Sequence, residues 1–441
     1  MTWLQRLQEE FGPPVTEDKG YNLVKWLQQP LAKPLAPPEV HKIEDTGLPF
    51  GLLLDLLLKQ AYFEGAVTLE RLAERSKLSV TIIHSLYRYL QKEQLCETRA
   101  MVGDDYEIAL TGKGRAMADV ALQKGHYAGP APVPLKEYNR AVSQQAVPVN
   151  VNAATLKAAL QDLVMPDRVI NEIGTALVTG GAILLYGGTG NGKTSIAERL
   201  HKVLNDAIYI PYAVEISGQI VGIFDPLIHR AVANQEGTLD PRWVLCARPM
   251  VKVGGEMRAE MLEPRVDETT RVCLGPVQMK ANNGILLIDD FGRQRISPRE
   301  LLNRWIVPLD RRTDVLSLWS GVSFEIPFEV LVVFATNLPL ADLAEDAFMR
   351  RLKNKIKIEC LDEDLFKELF RRVCAENGLP LSSEVEEYFC RECSRHAPDG
   401  LRACFPADIT AIVRGMAAFE ERAPQLEKQD IDGALKVYFV H

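Results

Sequence analysis

Residues 181–200 read GAILLYGGTGNGKTSIAERL, and the change of character along this stretch decides the fold. The apolar run 182–186 has the composition of a buried strand. It breaks into Gly187-Gly188-Thr189-Gly190-Asn191-Gly192, and Lys193-Thr194-Ser195 then opens an amphipathic helix. The whole is G-x-x-x-x-G-K-[ST] in a strand–loop–helix context. Glycines let the backbone wrap closely around a phosphate chain, and the helix start adds free N–H donors and a positive dipole end. Lys193 is placed to reach the β- and γ-phosphates, and the Thr194 hydroxyl to ligate Mg²⁺. A plain Gly-rich turn explains the stretch less well, because four glycines in six positions are followed by Lys-Thr. The pattern implies binding of a nucleoside triphosphate such as ATP.

At 441 residues the chain is too long for one ordinary core, so several domains are expected. Its charged and apolar fractions, 25% and 47%, are those of a soluble globular protein. A net charge of −8 argues against general polybasic attraction to nucleic acid or anionic membrane. The first residues, MTWLQRLQEEFGPP, carry charges where a signal peptide needs an apolar core, and no apolar run reaches spanning length, so no membrane insertion is expected. Eight scattered cysteines form no dense disulfide framework. These features together lead to an expectation of a cytoplasmic location.

Upstream of the glycine-rich loop, residues 1–47 are proline-rich and read as an extended arm, with Trp3, Leu4 and Trp26 as apolar anchors. Residues 48–124 become compact, with helices expected at 52–63, from Thr68, and at 79–92, where Ile82, Ile83, Leu86 and Leu90 form one stripe. Two short β-like runs flank Val102-Gly103-Asp104-Asp105, and a helix follows near Gly114. This order resembles a winged helix-turn-helix. Such folds usually bind DNA, yet residues 48–125 hold ten Lys+Arg against ten Asp+Glu, and Asp104 and Asp105 at the wing tip would repel phosphates. Protein docking is therefore favoured over DNA binding. Residues 125–150, with GPAPVP at 129–134, read as a linker into which residues 135–138 could still pack.

Downstream, residues 284–288 form an apolar run ending in Asp289-Asp290. An acid at a strand tip suits the Mg²⁺ side of a phosphate site, a role for Asp289, while Asp290 occupies the place of a base for the attacking water. A buried strand ending in a polar turn is the weaker explanation once the loop is considered with it. A further apolar strand, 330–334, ends in Ala335-Thr336-Asn337, and Asp346-Ala347-Phe348-Met349-Arg350-Arg351 precedes a β-like run at 355–358.

The succession of these stations over residues 151–441 resembles the AAA+ ATPase family. The resemblance implies an α/β fold: a P-loop core (151–360) with a parallel sheet and β-hairpin insertions, then an α-helical lid (361–441), all behind the winged-helix-like segment. It implies Asn337 as first sensor, and either Arg350 or Arg351 as the finger reaching a neighbouring subunit's nucleotide. Solvated charge at a helix end is the plainer explanation for the two arginines. A finger supplied in trans implies a ring, most simply a hexamer. The implied function is ATP hydrolysis with Mg²⁺ coupled to remodelling of a macromolecular client, a protein for preference; a DNA-acting initiator or loader is the alternative.

Two positions depart from the family pattern. Asp290 stands where glutamate is usual, which predicts slower hydrolysis. The lid's first helical turn reads Pro406-Ala407-Asp408 without the second-sensor arginine, leaving Arg402 as nearer substitute and Arg414 as the further one.

Lys193 and Asp289 lie 96 positions apart, more than a minimal core needs. Residues 250–257 read as a hairpin turning at Gly254-Gly255, and residues 315–326 as a second hairpin around Ser320-Gly321. The latter resembles the pre-sensor hairpin of AAA+ subgroups that include MoxR-like and MCM-like ATPases. Ile223-Phe224 and the Gly254 turn are candidates to grip a client in a ring's channel, or to pack within the sheet insert. Finally, Cys390, Cys393 and His396, with Cys404 beyond, have ligand types and spacing for zinc, but the first three also fall on one helical stripe, where cysteine serves as a small core residue.

Overall fold

The structure is a computed structural model and describes residues 36–146, 151–204, 206–232, 239–343 and 351–439. Most of the arm, with Trp3, Leu4 and Trp26, lies outside the described residues, as does 344–350, which holds Arg350.

Residues 50–124 form α1 (Phe50–Glu64), β1 (Ala66–Thr68), α2 (Leu69–Ser76), α3 (Val80–Lys92), β2 (Cys96–Val102), β3 (Asp105–Leu110) and α4 (Gly112–Lys124). The three strands pair antiparallel in the order β1-β3-β2. The stripe Ile82, Ile83, Leu86 and Leu90 is buried against Leu56, Leu57 and Leu72, as the helical spacing requires. Thr68 caps α2 by accepting the Arg71 N–H. Three-residue β1 carries no readable period, so sequence alone gives it no signal. Asp105 has a local task as well: one carboxylate oxygen accepts the Glu70 N–H in the first turn of α2. Asp104 is exposed at the turn.

The stretch expected to be a linker is ordered over 125–146, where it forms β4 (Val133–Pro134) and α5 (Leu135–Gln144). Val133, Tyr138 and Val142 are buried in a second core. The Tyr138 hydroxyl accepts from Asn282 Nδ2 and donates to Met279 O. Prolines masked a helical period that residues 135, 138 and 142 do carry.

The remaining chain runs α6 (Ala153–Ala159), α7 (Asp167–Thr179), β5 (Ile183–Tyr186), α8 (Lys193–Arg199), β6 (Ala207–Pro211), β7 (Ala213–Ile216), β8 (Gln219–Gly222), β9 (Trp243–Ala247) and β10 (Met250–Val253). Then come β11 (Arg265–Val266), β12 (Cys273–Leu274), α9 (Val277–Ala281), β13 (Ile285–Ile288), α10 (Pro298–Arg311), β14 (Thr313–Ser317), β15 (Ser323–Pro327), β16 (Leu331–Thr336) and β17 (Asn354–Lys357). Four helices follow: α11 (Glu363–Glu376), α12 (Ser383–His396), α13 (Phe405–Phe419) and α14 (Lys428–Tyr438).

A parallel sheet in the order β10-β13-β16-β5-β17 lies at the centre. Its inner strands are apolar up to their C-terminal residues, Tyr186 and Thr336, because both faces are covered. Leu184, Leu286, Ile288, Val332 and Phe334 point into the core under Trp305 and Phe328. Ile183, Leu185, Ile285, Leu287, Val333 and Ala335 point into the opposite core, against α7 and α8.

The insertion between α8 and β13, joined by β4 from upstream, builds a second, mixed sheet, β11-β12-β8-β7-β4, beside the antiparallel pair β6–β9. The β14–β15 hairpin turns at Gly321, as its sequence suggests, and carries Trp319 near its tip, 70% exposed. Another hairpin, β7–β8, turns at Ser217-Gly218, both at positive φ; the Ser-Gly pair between alternating residues is the signal that could have found it.

Residues 250–257 do not form a hairpin. Residues 250–253 are the edge strand β10, paired parallel with β13, and Gly254-Gly255 follows its C-terminal end. The alternation in Met-Val-Lys-Val suits an edge strand of a parallel sheet equally well, and only tertiary pairing distinguishes the two. Ile223 is 1% exposed and cannot face an open channel, while Phe224 packs edge-on against Tyr212, ring centroids 5.2 Å apart. Both belong to the insert's own core.

In the C-terminal helices, Cys390 and Cys393 are buried among Phe366, Phe370 and Phe389, and His396 stacks on Phe439. Cys404 Sγ lies instead against the Tyr438 hydroxyl. Among the described residues no group of three His, Cys, Asp or Glu side chains is placed to hold a metal ion, and no helix is long and apolar enough to cross a membrane.

Two polar joints hold the insert. Asp240 and Arg242 form a bidentate pair, Nη2 to Oδ2 at 2.8 Å, with both residues buried. Arg242 Nη1 also donates to Thr46 O and Pro132 O, and Asp240 N–H to Pro37 O, so the pair ties the insert to the N-terminal segment. At the second joint His229 is 2% exposed; its Nδ1 accepts the Asp225 N–H, so Nε2 donates to Lys280 O. Burial holds this imidazole below its ordinary value near 6.5, against the pull of Lys280 O and Asp225. The unfolded chain therefore takes up a proton first as pH falls, and stability drops below about pH 6.5. The expected outcome is that His229→Gln melts below the wild-type protein at pH 8 and that the gap narrows towards pH 5.

Candidate functional site

The C-terminal ends of β5, β13 and β16 meet at one edge of the central sheet, and β16 lies between the other two. This edge is where open parallel sheets place ligands. The loop after β5 is shaped by glycine where nothing else fits. At Gly187 (φ 145°) an added Cβ would lie 2.1 Å from Ile358 O; at Gly190 (φ 81°) it would lie 2.6 Å from Cys404 Sγ. The resulting concave backbone leads into α8 at Lys193.

Lys193 is buried, and its ammonium donates to Gly187 O at 3.0 Å and Gly188 O at 2.8 Å. Burial lowers its pKa, while Asp290 and Asp289 pull the other way. Thr194 Oγ1 donates to Asp289 Oδ1 at 2.9 Å. The other oxygen, Asp289 Oδ2, is 3.2 Å from Lys252 Nζ, which itself donates to Glu198 Oε1 at 2.8 Å.

Asp290 is exposed and sits at φ 48°, in the left-handed region that aspartate tolerates better than most side chains. Gln294 steadies that turn: its amide donates to Asp289 O and Asp290 O and accepts the Gly292 N–H. Asn337 Nδ2 donates to Thr189 Oγ1 at 3.1 Å, joining the β16 tip to the loop. Thr336 is buried, its hydroxyl donating to Phe291 O.

The structure thus brings Thr189, Lys193, Thr194, Asp289, Asp290 and Asn337 to one edge. Ser195 lies in the first turn of α8 beside them. Asn191 turns its side chain away, donating to Ile358 O at 3.2 Å. The C-terminal helical segment reaches the loop directly, since the Cys404 N–H donates to Gly190 O at 2.9 Å. Arg402 lies in the same lead-in, its Cδ 3.7 Å from where a Gly190 Cβ would be and its guanidinium 5.9 Å from the Phe405 ring centroid. Arg414 bonds Asn377 within the C-terminal helices. Arg351 pairs with Asp310 at 2.9 Å, and Arg350 lies outside the described residues.

Sequence reasoning missed Lys252, Glu198 and Gln294. Glu198 follows Thr194 by four residues and so shares its helical face, a usable signal. Lys252 becomes visible only when β10 is known to pair with β13. The donor set fits a hard cation with a phosphate chain: a hydroxyl and carboxylate oxygens beside a buried ammonium and a glycine cradle.

A sequence profile for a domain of unknown function, DUF8689, matches residues 362–437, the four C-terminal helices. No curated protein matches the chain. Among solved structures, a RuvB point mutant from Thermotoga maritima aligns with TM-score 0.38 and 13% identity over 63% of this chain and 72% of its own. The T. maritima RuvB Holliday junction branch migration motor aligns with TM-score 0.37 and 14% identity over 62% and 70%. NtrX from Brucella abortus aligns with TM-score 0.37 and 14% identity over 62% and 55%.

Proposed function

We propose that this chain is a Mg²⁺-dependent ATPase of the AAA+ type, assembling with copies of itself and acting on a protein client in the cytoplasm. The observation that carries the reading is the convergence of Lys193, Thr194, Asp289 and Asn337 at one sheet edge, beside a glycine loop that admits no side chain at 187 or 190. Lys193 would exchange the carbonyls of Gly187 and Gly188 for phosphate oxygens. Thr194 and Asp289 would hold Mg²⁺, which when bound neutralises phosphate charge. Asp290 would take the proton of the attacking water, and Asn337 would orient that water. Arg402 would sense the nucleotide from the lid, and Arg350 or Arg351 would complete a neighbouring subunit's site.

Residues 48–124 we read as a winged-helix docking module. Met101, Val102 and Tyr106 are exposed along its hairpin, next to Asp104, a surface better matched to a protein than to a phosphate backbone.

The test is hydrolysis by purified protein with and without Mg²⁺, alongside Asp290→Asn. The variant is expected to bind ATP normally while turnover falls by about 10²- to 10⁴-fold. A wild-type protein that binds no ATP would sink the reading. Duplex-DNA binding that weakens steeply with salt would move the client from protein to DNA.

A further inference from the structure

Lys252 is a cation at the one carboxylate best placed for metal. It lies on the edge strand β10 opposite Leu287, and the Asp289 N–H donates to Val253 O, so the strand pairing itself fixes lysine beside acid. With Thr194 on Oδ1 and Lys252 on Oδ2, both oxygens of Asp289 are engaged. The same ammonium rests on Glu198, one turn along α8 from Thr194. Asp289 is 18% exposed and the lysine 46%, so the acid is sheltered while the ammonium has room to move.

We infer that Lys252 is a positioning residue that competes with Mg²⁺ for Asp289, with Glu198 as the seat it retreats to when metal arrives. The inference rests on the ATP–Mg²⁺ reading proposed above. A lysine on Asp289 lowers the negative charge offered to a divalent ion. Because Glu198 shares the ammonium, the lysine can leave Asp289 without giving up its other ionic contact. The pair Lys252–Glu198 therefore sets the metal concentration at which nucleotide is retained, and the two residues act with opposite sign.

The experiment is equilibrium binding of a fluorescent ATP analogue to the full chain, titrated with Mg²⁺, with Mn²⁺ electron paramagnetic resonance on the same samples as a direct count of bound metal. Lys252→Met is expected to lower the half-saturating metal concentration by about two- to fivefold, the range for partly exposed ion pairs. Glu198→Gln is expected to raise it, because the lysine then has only Asp289. Lys252→Arg keeps the charge and should stay near wild type. Matching thermal melts keep a folding defect apart from a metal effect. A metal dependence unmoved in both Lys252→Met and Glu198→Gln would overturn the role of Lys252 alone. Weaker analogue binding by Lys252→Met at saturating metal would also overturn it, since the ammonium would then serve phosphate. No analogue binding by the wild-type protein would overturn the nucleotide reading, and this inference with it.

Discussion

Lys193→Ala is expected to reduce ATP turnover by at least about 100-fold, the usual cost of losing one donor aimed at developing phosphate charge. The side chain is buried near the loop and two carboxylates, and its ammonium donates to Gly187 O and Gly188 O. Its removal leaves those carbonyls without this partner and Asp289 and Asp290 without its opposing charge. The site therefore loses a positive charge where a polyphosphate would enter. Nucleotide binding should fall along with turnover, which separates this variant from Asp290→Asn. The check is nucleotide titration followed by steady-state hydrolysis at saturating Mg²⁺. Turnover within a few-fold of wild type would mean that the loop is not the catalytic cradle.

Asp240→Ala is expected to cost about 3–5 kcal/mol of stability, because it strands a buried guanidinium. Arg242 is only 4% exposed, and two of its contacts are to carbonyls, Thr46 O and Pro132 O, which share but do not cancel its charge. Replacing both partners together, Asp240→Leu with Arg242→Met, should recover much of the loss by removing the orphan charge. Denaturant melts of the single and double variants decide this. Equal losses in both would show that the joint works through shape rather than charge. The pair also bridges segments nearly 200 positions apart in sequence, Thr46 to Arg242, so the single variant should loosen the N-terminal segment from the insert.

The central strands were legible in the sequence because burial on both faces makes them apolar throughout, as at 285–288 and 331–335. Loop residues 187–194 were legible for a related reason: close backbone approach tolerates only glycine, so geometry is written directly as composition. Residues 250–253 were misread because a strand's alternation does not say which strand it pairs with, or in which direction. Residues 133–144 were misread because prolines at 130, 132 and 134 resemble a linker, although Pro134 merely precedes the first turn of α5. At the site, Lys252 escaped because its contact with Asp289 crosses a strand pair that no local pattern announces. Gln294 escaped because a lone amide five residues past an acid carries no signature until the turn is folded.

The four C-terminal helices have a core of their own and match a sequence profile from end to end, which makes them look like a part that could be exchanged. The bond from Cys404 to Gly190 O argues otherwise. Cys404 fills the space a side chain at 190 would need, so the two positions are bound by one shared tolerance. A chain truncated at residue 361 would leave that carbonyl without this donor and open the loop on the side that Arg402 and Cys404 now cover. The helices match a profile as a block, yet one of their residues closes the glycine loop of the central sheet: the boundary drawn by sequence passes through a single packed unit.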